Sequence, residues 1–493
     1  MTRIREGAIA ARAYQENIAK SILEMGNTLV VLPTGLGKTI VALLVIDKLF
    51  DKGRILFLAP TKPLSEQHYT RIREMMDIGE DDIALVTGMI QPKKRVELWK
   101  KRIVVSTPQT ARNDILKGRL SLDHALCIFD EAHRAVGNYA YTFVASECAK
   151  GGTLVVGLTA SPGGSREKIE GILDALCIKN VEIRTAEDKD VVEYVKPTNV
   201  SWIMIELSGE IRKMRDLLHS MVLERAEALK KLGFVGRFLS KKHLIEMRKR
   251  IEKAGGWRKL VAFSQYASLF NLIHMEELLE TQGVGTFRNY VERLRARAQS
   301  KAILRILNDG RMKEIMDGIE KCEEHPKLGR VVELVKERPE EKILVFAQYR
   351  DQIDKIVDEL NKNGMRAHRF VGKKGGVTVK EQKETIEMFR RGEFGTMVCT
   401  SIGEEGLDLP LVDTVIFYEP IPSEIRTIQR RGRAGRAKAG NVIVLITKGT
   451  RDEAFFWASR KREKKMRSIV ETMGKKGAHP EKRKVQKKIS EFL

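Results

Sequence analysis

The sequence predicts an α/β fold, with two parallel-sheet domains and a helical domain inserted between them. Three observations carry that expectation. In two stretches, residues 9–184 and 342–447, short apolar runs alternate with helical patterns, as a mainly parallel sheet covered by helices requires. Between them, apolar residues recur at helical spacing with few strand signals. The chain has 493 residues, enough for about three domains.

The first block is drawn as residues 1–190, with strands expected at 28–32, 55–58, 83–86, 103–105, 125–129 and 154–158. A strand at 200–206 opens the second block, drawn as 191–335. Its helical stretches at 211–232 and 260–280 are bounded by Gly255-Gly256 and Gly283-Val284-Gly285, which break helices. Alternation returns in the third block, drawn as 336–460. Strands are expected there at 343–346, 367–370, 396–399, 414–417 and 441–446, with helices at 352–363 and 380–391. Residues 461–493 read as a basic helix and a polar tail.

The run Pro33-Thr34-Gly35-Leu36-Gly37-Lys38-Thr39 follows the first strand and leads into a helical stretch at 40–50. That order is the context of a phosphate-binding loop. Thr34, Gly35 and Gly37 would let backbone N–H groups turn inward around phosphate oxygens, and the helix N-terminus adds partial positive charge. Lys38 would reach the β- and γ-phosphates, and Thr39 would place its hydroxyl on Mg²⁺. The strict pattern has a glycine where Leu32 stands.

Asp130-Glu131-Ala132-His133 follows the apolar run 125–129. Both carboxylates therefore fall at the carboxyl end of a buried strand, where open α/β sheets bind ligands. Asp130 would hold the Mg²⁺ that bridges the phosphates, and Glu131 would orient and deprotonate the attacking water. In the third block, Gln429-Arg430-Arg431-Gly432-Arg433-Ala434-Gly435-Arg436 places Arg433 and Arg436 on one helix face. Such arginines stabilise charge developing on a γ-phosphate. ATP would then sit between the two α/β blocks, and hydrolysis would open and close the cleft.

Net charge is +23 at pH 7. Residues 211–330 carry 26 Lys/Arg against 15 Asp/Glu, and residues 461–493 carry 12 against 4. Concentrated positive charge points to a polyanion such as nucleic acid. No apolar run approaches the roughly 20 residues of a membrane span, and charges interrupt residues 4–14, where a signal peptide would be apolar. The five cysteines are widely spaced, which suggests reduced thiols in a cytoplasmic protein rather than a disulfide or zinc framework.

Taken in order from residue 12 to residue 436, these motifs resemble a superfamily 2 helicase of the DEAH-box type, built on two RecA-like motor domains. Arg12-Ala13-Tyr14-Gln15 resembles the adenine-recognition element, which implies that Gln15 reads the base edge and Arg12 stacks on it. Pro33–Thr39 is motif I and Asp130–His133 motif II. Ala59–Leu64 resembles motif Ia, Ser106–Thr110 motif Ib, Thr159-Ala160-Ser161 motif III and Thr400–Asp408 motif V. Gln429–Arg436 is motif VI. The resemblance implies that Thr61, Lys62, Thr107 and Thr400 touch the sugar-phosphate backbone. Gly406 and Asp408 would face the nucleotide from the second motor domain, where Gln429, Arg433 and Arg436 would act on it.

A helical insertion joined to an Asp-Glu-Ala-His box resembles archaeal Hef, its relative FANCM, and the Dicer and RIG-I-type helicases, with the motif wording nearest to Hef. This implies an ATP-dependent enzyme that remodels branched or forked DNA, with a nuclease domain downstream in the full-length protein. The alternative is an ATPase stimulated by double-stranded RNA. Arg248, Lys249 and Arg250, together with Arg293, Arg295 and Arg297, would grip the phosphates of a duplex arm. At the end of the chain, Gln486, Ile489, Phe492 and Leu493 resemble a peptide that docks on a sliding clamp.

Overall fold

In this computed structural model the described residues are 2–160, 162–163, 165–185, 187–194, 199–234, 241–296, 300–372, 377–400, 412–420 and 440–476. The apolar runs of the first block form β1 (Thr28–Val31), β2 (Ile55–Leu58), β3 (Ile83–Val86), β4 (Ile103–Ser106), β5 (Leu126–Asp130) and β6 (Leu154–Thr159). A further strand, β7 (Asn180–Ile183), was not expected, because it is half-exposed and carries no apolar run. All pair in parallel in the order β3-β4-β2-β5-β6-β1-β7.

Helices α1 (Ala13–Met25), α2 (Lys38–Leu49) and α3 (Lys62–Met75) cover one face of this sheet. Beyond α4 (Pro92–Leu98), helices α5 (Pro108–Leu116), α6 (Ala140–Lys150) and α7 (Arg166–Ala175) cover the other. Burial on both faces explains why these strands read as unbroken apolar runs rather than alternating ones.

The strand near residue 200 is β8 (Asn199–Ile205), and its partner corrects the block boundaries. It does not join the helical insertion. It runs parallel to β13 (Asn441–Thr447), at the edge of a second sheet with order β10-β11-β9-β12-β13-β8. The other members are β9 (Ile343–Phe346), β10 (Ala367–Phe370), β11 (Thr396–Cys399) and β12 (Thr414–Phe417).

The inserted bundle is α8 (Gly209–Lys231), α9 (Lys241–Glu252), α10 (Gly256–Thr281), α11 (Val284–Ala296), α12 (Lys301–Leu307) and α13 (Gly310–Lys321). Its own core includes Leu218, Met221, Leu272, Met275, Phe287 and Ile315. The next helix, α14 (Pro326–Lys336), packs with α15 (Arg350–Lys362) beneath Ile343, Val345, Val398 and Ile416 of the second sheet. On the opposite face lie α16 (Val379–Arg391) and α17 (Arg451–Lys476). The basic terminal helix thus begins at Arg451, ten residues before the drawn limit of 461.

Candidate nucleotide and nucleic-acid site

The loop after β1 owes its shape to two glycines and to a leucine. Gly35 and Gly37 hold φ of +90° and +80°, left-handed values that favour glycine. A Cβ at Gly37 would also collide with the Gln15 side-chain amide. Leu32, where the strict pattern has glycine, is fully buried. Its N–H donates to Thr159 O at 3.0 Å and prolongs the sheet ladder. Its carbonyl accepts from Lys38 Nζ at 3.1 Å, so a leucine here anchors the lysine through backbone alone.

The adenine-recognition residues brace this loop. Gln15 is buried, donates to Leu36 O at 3.0 Å, and accepts from the Arg12 backbone at 3.0 Å. Tyr14 donates to the same carbonyl at 2.7 Å. Both polar ends of Gln15 are therefore used within the protein, and Arg12 stacks at 4.5 Å on the Tyr194 ring. Tyr194 follows β7 and was invisible in the motif pattern.

At the end of β5, Asp130 is 7% exposed and accepts a 2.8 Å hydrogen bond from His68 Nε2. Burial pushes its pKa up, but the His68 interaction and the nearby Lys38 charge outweigh this and hold it below the usual carboxylate value. The Tyr141 hydroxyl donates to Asp130 O at 2.6 Å and Leu58 O at 3.1 Å, clamping the ends of β5 and β2. Glu131 then turns the chain at φ 50°, ψ 50°, a left-handed conformation that costs a non-glycine residue about 1–3 kcal/mol and clusters at functional sites.

Glu131 Oε2 is buried without a well-formed hydrogen bond, and lies 3.3 Å from His133 Nδ1. The same ring nitrogen is 3.2 Å from Thr159 Oγ1, which joins motif II to motif III. Among the described residues, no cluster of three His, Cys, Asp or Glu could hold a metal alone. Asp130 with the Thr39 hydroxyl would offer a sparse donor set. That suits Mg²⁺, which keeps water and phosphate oxygens in its shell.

The backbone-contact candidates Thr61 and Thr107 cap α3 and α5, just beyond the carboxyl ends of β2 and β4. The ligand edge of the first sheet therefore carries both sets of motifs. Thr61 accepts from Leu64 N at 3.5 Å, and Thr107 Oγ1 is 2.8 Å from Thr110 Oγ1. Lys62 lies 3.5 Å from Glu66, which also faces Lys383 of α16 at 3.8 Å. Thr400 is buried past the end of β11, its N–H bonded to Phe370 O at 3.2 Å.

In the bundle, Arg248, Lys249 and Arg250 are exposed on α9. Arg248 pairs with Glu252 at 3.0 Å, and Arg250 donates to Gly233 O at 3.0 Å. Arg293 pairs with Asp351 of α15 at 2.8 Å and so fastens the bundle to the second domain. Ser161, Arg297, Gly406, Asp408, Gln429, Arg433, Arg436, Gln486, Ile489, Phe492 and Leu493 lie outside the described residues.

Comparison with known proteins matches this layout block by block. Residues 8–164 match the family "Type III restriction enzyme, res subunit", residues 210–326 an RNA-helicase helical bundle, and residues 326–438 the "Helicase conserved C-terminal domain". A Methanocaldococcus jannaschii protein, named as an ATP-dependent RNA helicase, is 42% identical over 95% of this chain and 62% of its own length. The Neurospora crassa ATP-dependent DNA helicase mph1 is 34% identical over 90% of this chain and 41% of its own. The chain thus spans roughly half the length of these curated relatives. The crystal structure of the Pyrococcus furiosus Hef helicase domain is 40% identical and superposes with a TM-score of 0.74, covering 93% of this chain and 100% of that one. With the whole of that helicase domain matched at 40% identity and the same fold, this chain belongs to the Hef/FANCM family of superfamily 2 ATP-dependent helicases.

Proposed function

We propose that this chain is an ATP-driven motor that translocates on and remodels branched or forked DNA during fork repair. The observation that carries the reading is the shared sheet edge. Lys38 and Asp130 of the nucleotide site and the Thr61 and Thr107 caps all project from the carboxyl ends of β1, β5, β2 and β4. The 40% identity to a complete Hef helicase domain supports it.

In this reading Lys38 binds the β- and γ-phosphates, and Asp130 with Thr39 would hold Mg²⁺. The ion supplies charge neutralisation on the transferring phosphate. Glu131, its Oε2 buried 3.3 Å from His133 Nδ1, orients water and accepts its proton. Gln429, Arg433 and Arg436 complete the site from the second domain, with Gly406 and Asp408 on the nucleotide, as in the family pattern. Arg248, Lys249 and Arg250 hold a duplex arm by its phosphates. A downstream nuclease domain, a sliding-clamp contact through Gln486, Ile489, Phe492 and Leu493, and a cytoplasmic location belong to the same proposal.

Glu131→Gln is expected to lower the ATP turnover rate about 10²–10⁴-fold while nucleotide binding persists. Undiminished turnover would remove Glu131 from its role. The substrate is tested by measuring ATPase stimulation with forked, four-way, duplex and single-stranded DNA and with duplex RNA. Forked or four-way DNA is expected to stimulate most. Greater stimulation by duplex RNA would favour the second reading, which the jannaschii relative's name and the RNA-helicase bundle match bring forward.

A further inference from the structure

His68 belongs to none of the motifs that carry the chemistry, yet it makes the direct side-chain contact to Asp130. It is 6% exposed, and its ring lies 4.4 Å from the ring of Phe57 on β2. A carboxylate can only accept, so Nε2 carries the proton and donates to Asp130 Oδ2. One carboxylate oxygen is thereby fixed, and the orientation of the other follows, as hydrogen bonds behind a ligand generally dictate.

The position of His68 on α3 gives this contact its meaning. Thr61 caps that helix and Lys62 opens it. His68 comes seven residues after Thr61, two helical turns along the same face and about 10 Å deeper. Ser65, fully buried between them, bonds back to Thr61 O at 3.1 Å and stiffens the first turn. On the outer face, Glu66 meets both Lys62 and, across the domain boundary, Lys383. One rigid helix therefore touches the expected phosphate-backbone site, the second domain and the catalytic carboxylate.

We propose that His68 is a positioning residue for Asp130, and that through it nucleic acid seated at the N-terminus of α3 acts on the ATP site. The proposal rests on the motor reading above and adds the residue through which it is coupled. A small motion of α3 would shift the imidazole, and with it the carboxylate that, with Thr39, would hold the metal.

The test compares His68→Leu, which keeps volume without a donor, with His68→Gln, which keeps an N–H. Both are assayed with and without forked DNA. His68→Leu is expected to reduce the ratio of DNA-stimulated to basal turnover about tenfold. The change should fall on kcat with KM for ATP and affinity for DNA little altered, and His68→Gln should restore most of the ratio. A ratio equal to wild type in His68→Leu, an equal loss of basal and stimulated rates, or no rescue by His68→Gln overturns the proposal. A wild-type enzyme that no nucleic acid stimulates would defeat the motor reading instead. His68 is then judged without turnover, from the Mg²⁺ dependence of fluorescent-ADP binding. A raised half-saturation in His68→Leu sustains its positioning role, and an unchanged one overturns it.

Discussion

An alanine at position 37 would have to hold φ near +80° while pushing its methyl into the Gln15 amide. The left-handed conformation alone costs about 1–2 kcal/mol, so Gly37→Ala is expected to weaken binding of a fluorescent ATP analogue at least about tenfold. Wild-type affinity would mean that the loop relaxes freely. A second residue-scale expectation concerns His325. It accepts from Lys327 N at 3.1 Å through Nδ1 and bonds Glu280 O at 2.9 Å through Nε2, which requires the neutral ring. Burial, with Lys327 close by, pushes its pKa from 6.5 down to about 3. Unfolding frees the ring to take a proton, so the stability it contributes is present above pH 6.5 and lost as pH falls toward 3. Thermal melts between pH 7 and pH 4.5 should fall less steeply for His325→Asn than for wild type, and equal slopes would count against it. The placement of Lys38, Asp130 and Glu131 was legible because loop and strand end dictate it. His68, Tyr141 and Tyr194 were not, because each acts on a neighbour supplied by a distant segment. Arg293, expected as a phosphate contact, also pairs with Asp351, a partner that local sequence did not announce.

Helices α4 and α5 depend on one buried carboxylate. Asp114 accepts from Arg95 at 2.6 and 2.8 Å, from Trp99 Nε1 at 2.9 Å and from Arg119 at 3.1 Å. Burial opposes its charge, but these donors outweigh that and lower its pKa. Asp114→Ala strands a buried guanidinium and should destabilise the first domain by about 3–5 kcal/mol, read from calorimetric melting. A loss near zero would show that water replaces the carboxylate. At this scale legibility followed burial. Strands β1 to β6, largely buried, were found within a residue or two, whereas β7, an edge strand of half-exposed side chains without an apolar run, was missed. The strand at β8 was expected, but it was assigned to the bundle, because its partner β13 comes from a distant segment that local sequence does not reveal.

Across the molecule, α17 gathers the blocks. Arg460 lies 4.5 Å over the ring of Trp202 on β8, and Arg451 reaches Glu276 and Glu277 of the bundle at 3.6 and 3.5 Å. Asp452 pairs with Lys327, which is fully buried and also donates to Thr281 O at 3.2 Å. Lys327→Met removes the cation and leaves Asp452 among its Thr447 donors. Loss of one partner should cost about 3–5 kcal/mol in the melting of the second domain, and an unchanged melt would show that this junction is not needed. The bundle's chain path has a consequence for movement. The polypeptide leaves the second sheet after β8 and returns to it at α14, so both roots of the bundle stand on the same platform. It is a graft on one arm of a pair of tongs. In the motor reading proposed above, any duplex held there would travel with the second domain rather than with the first.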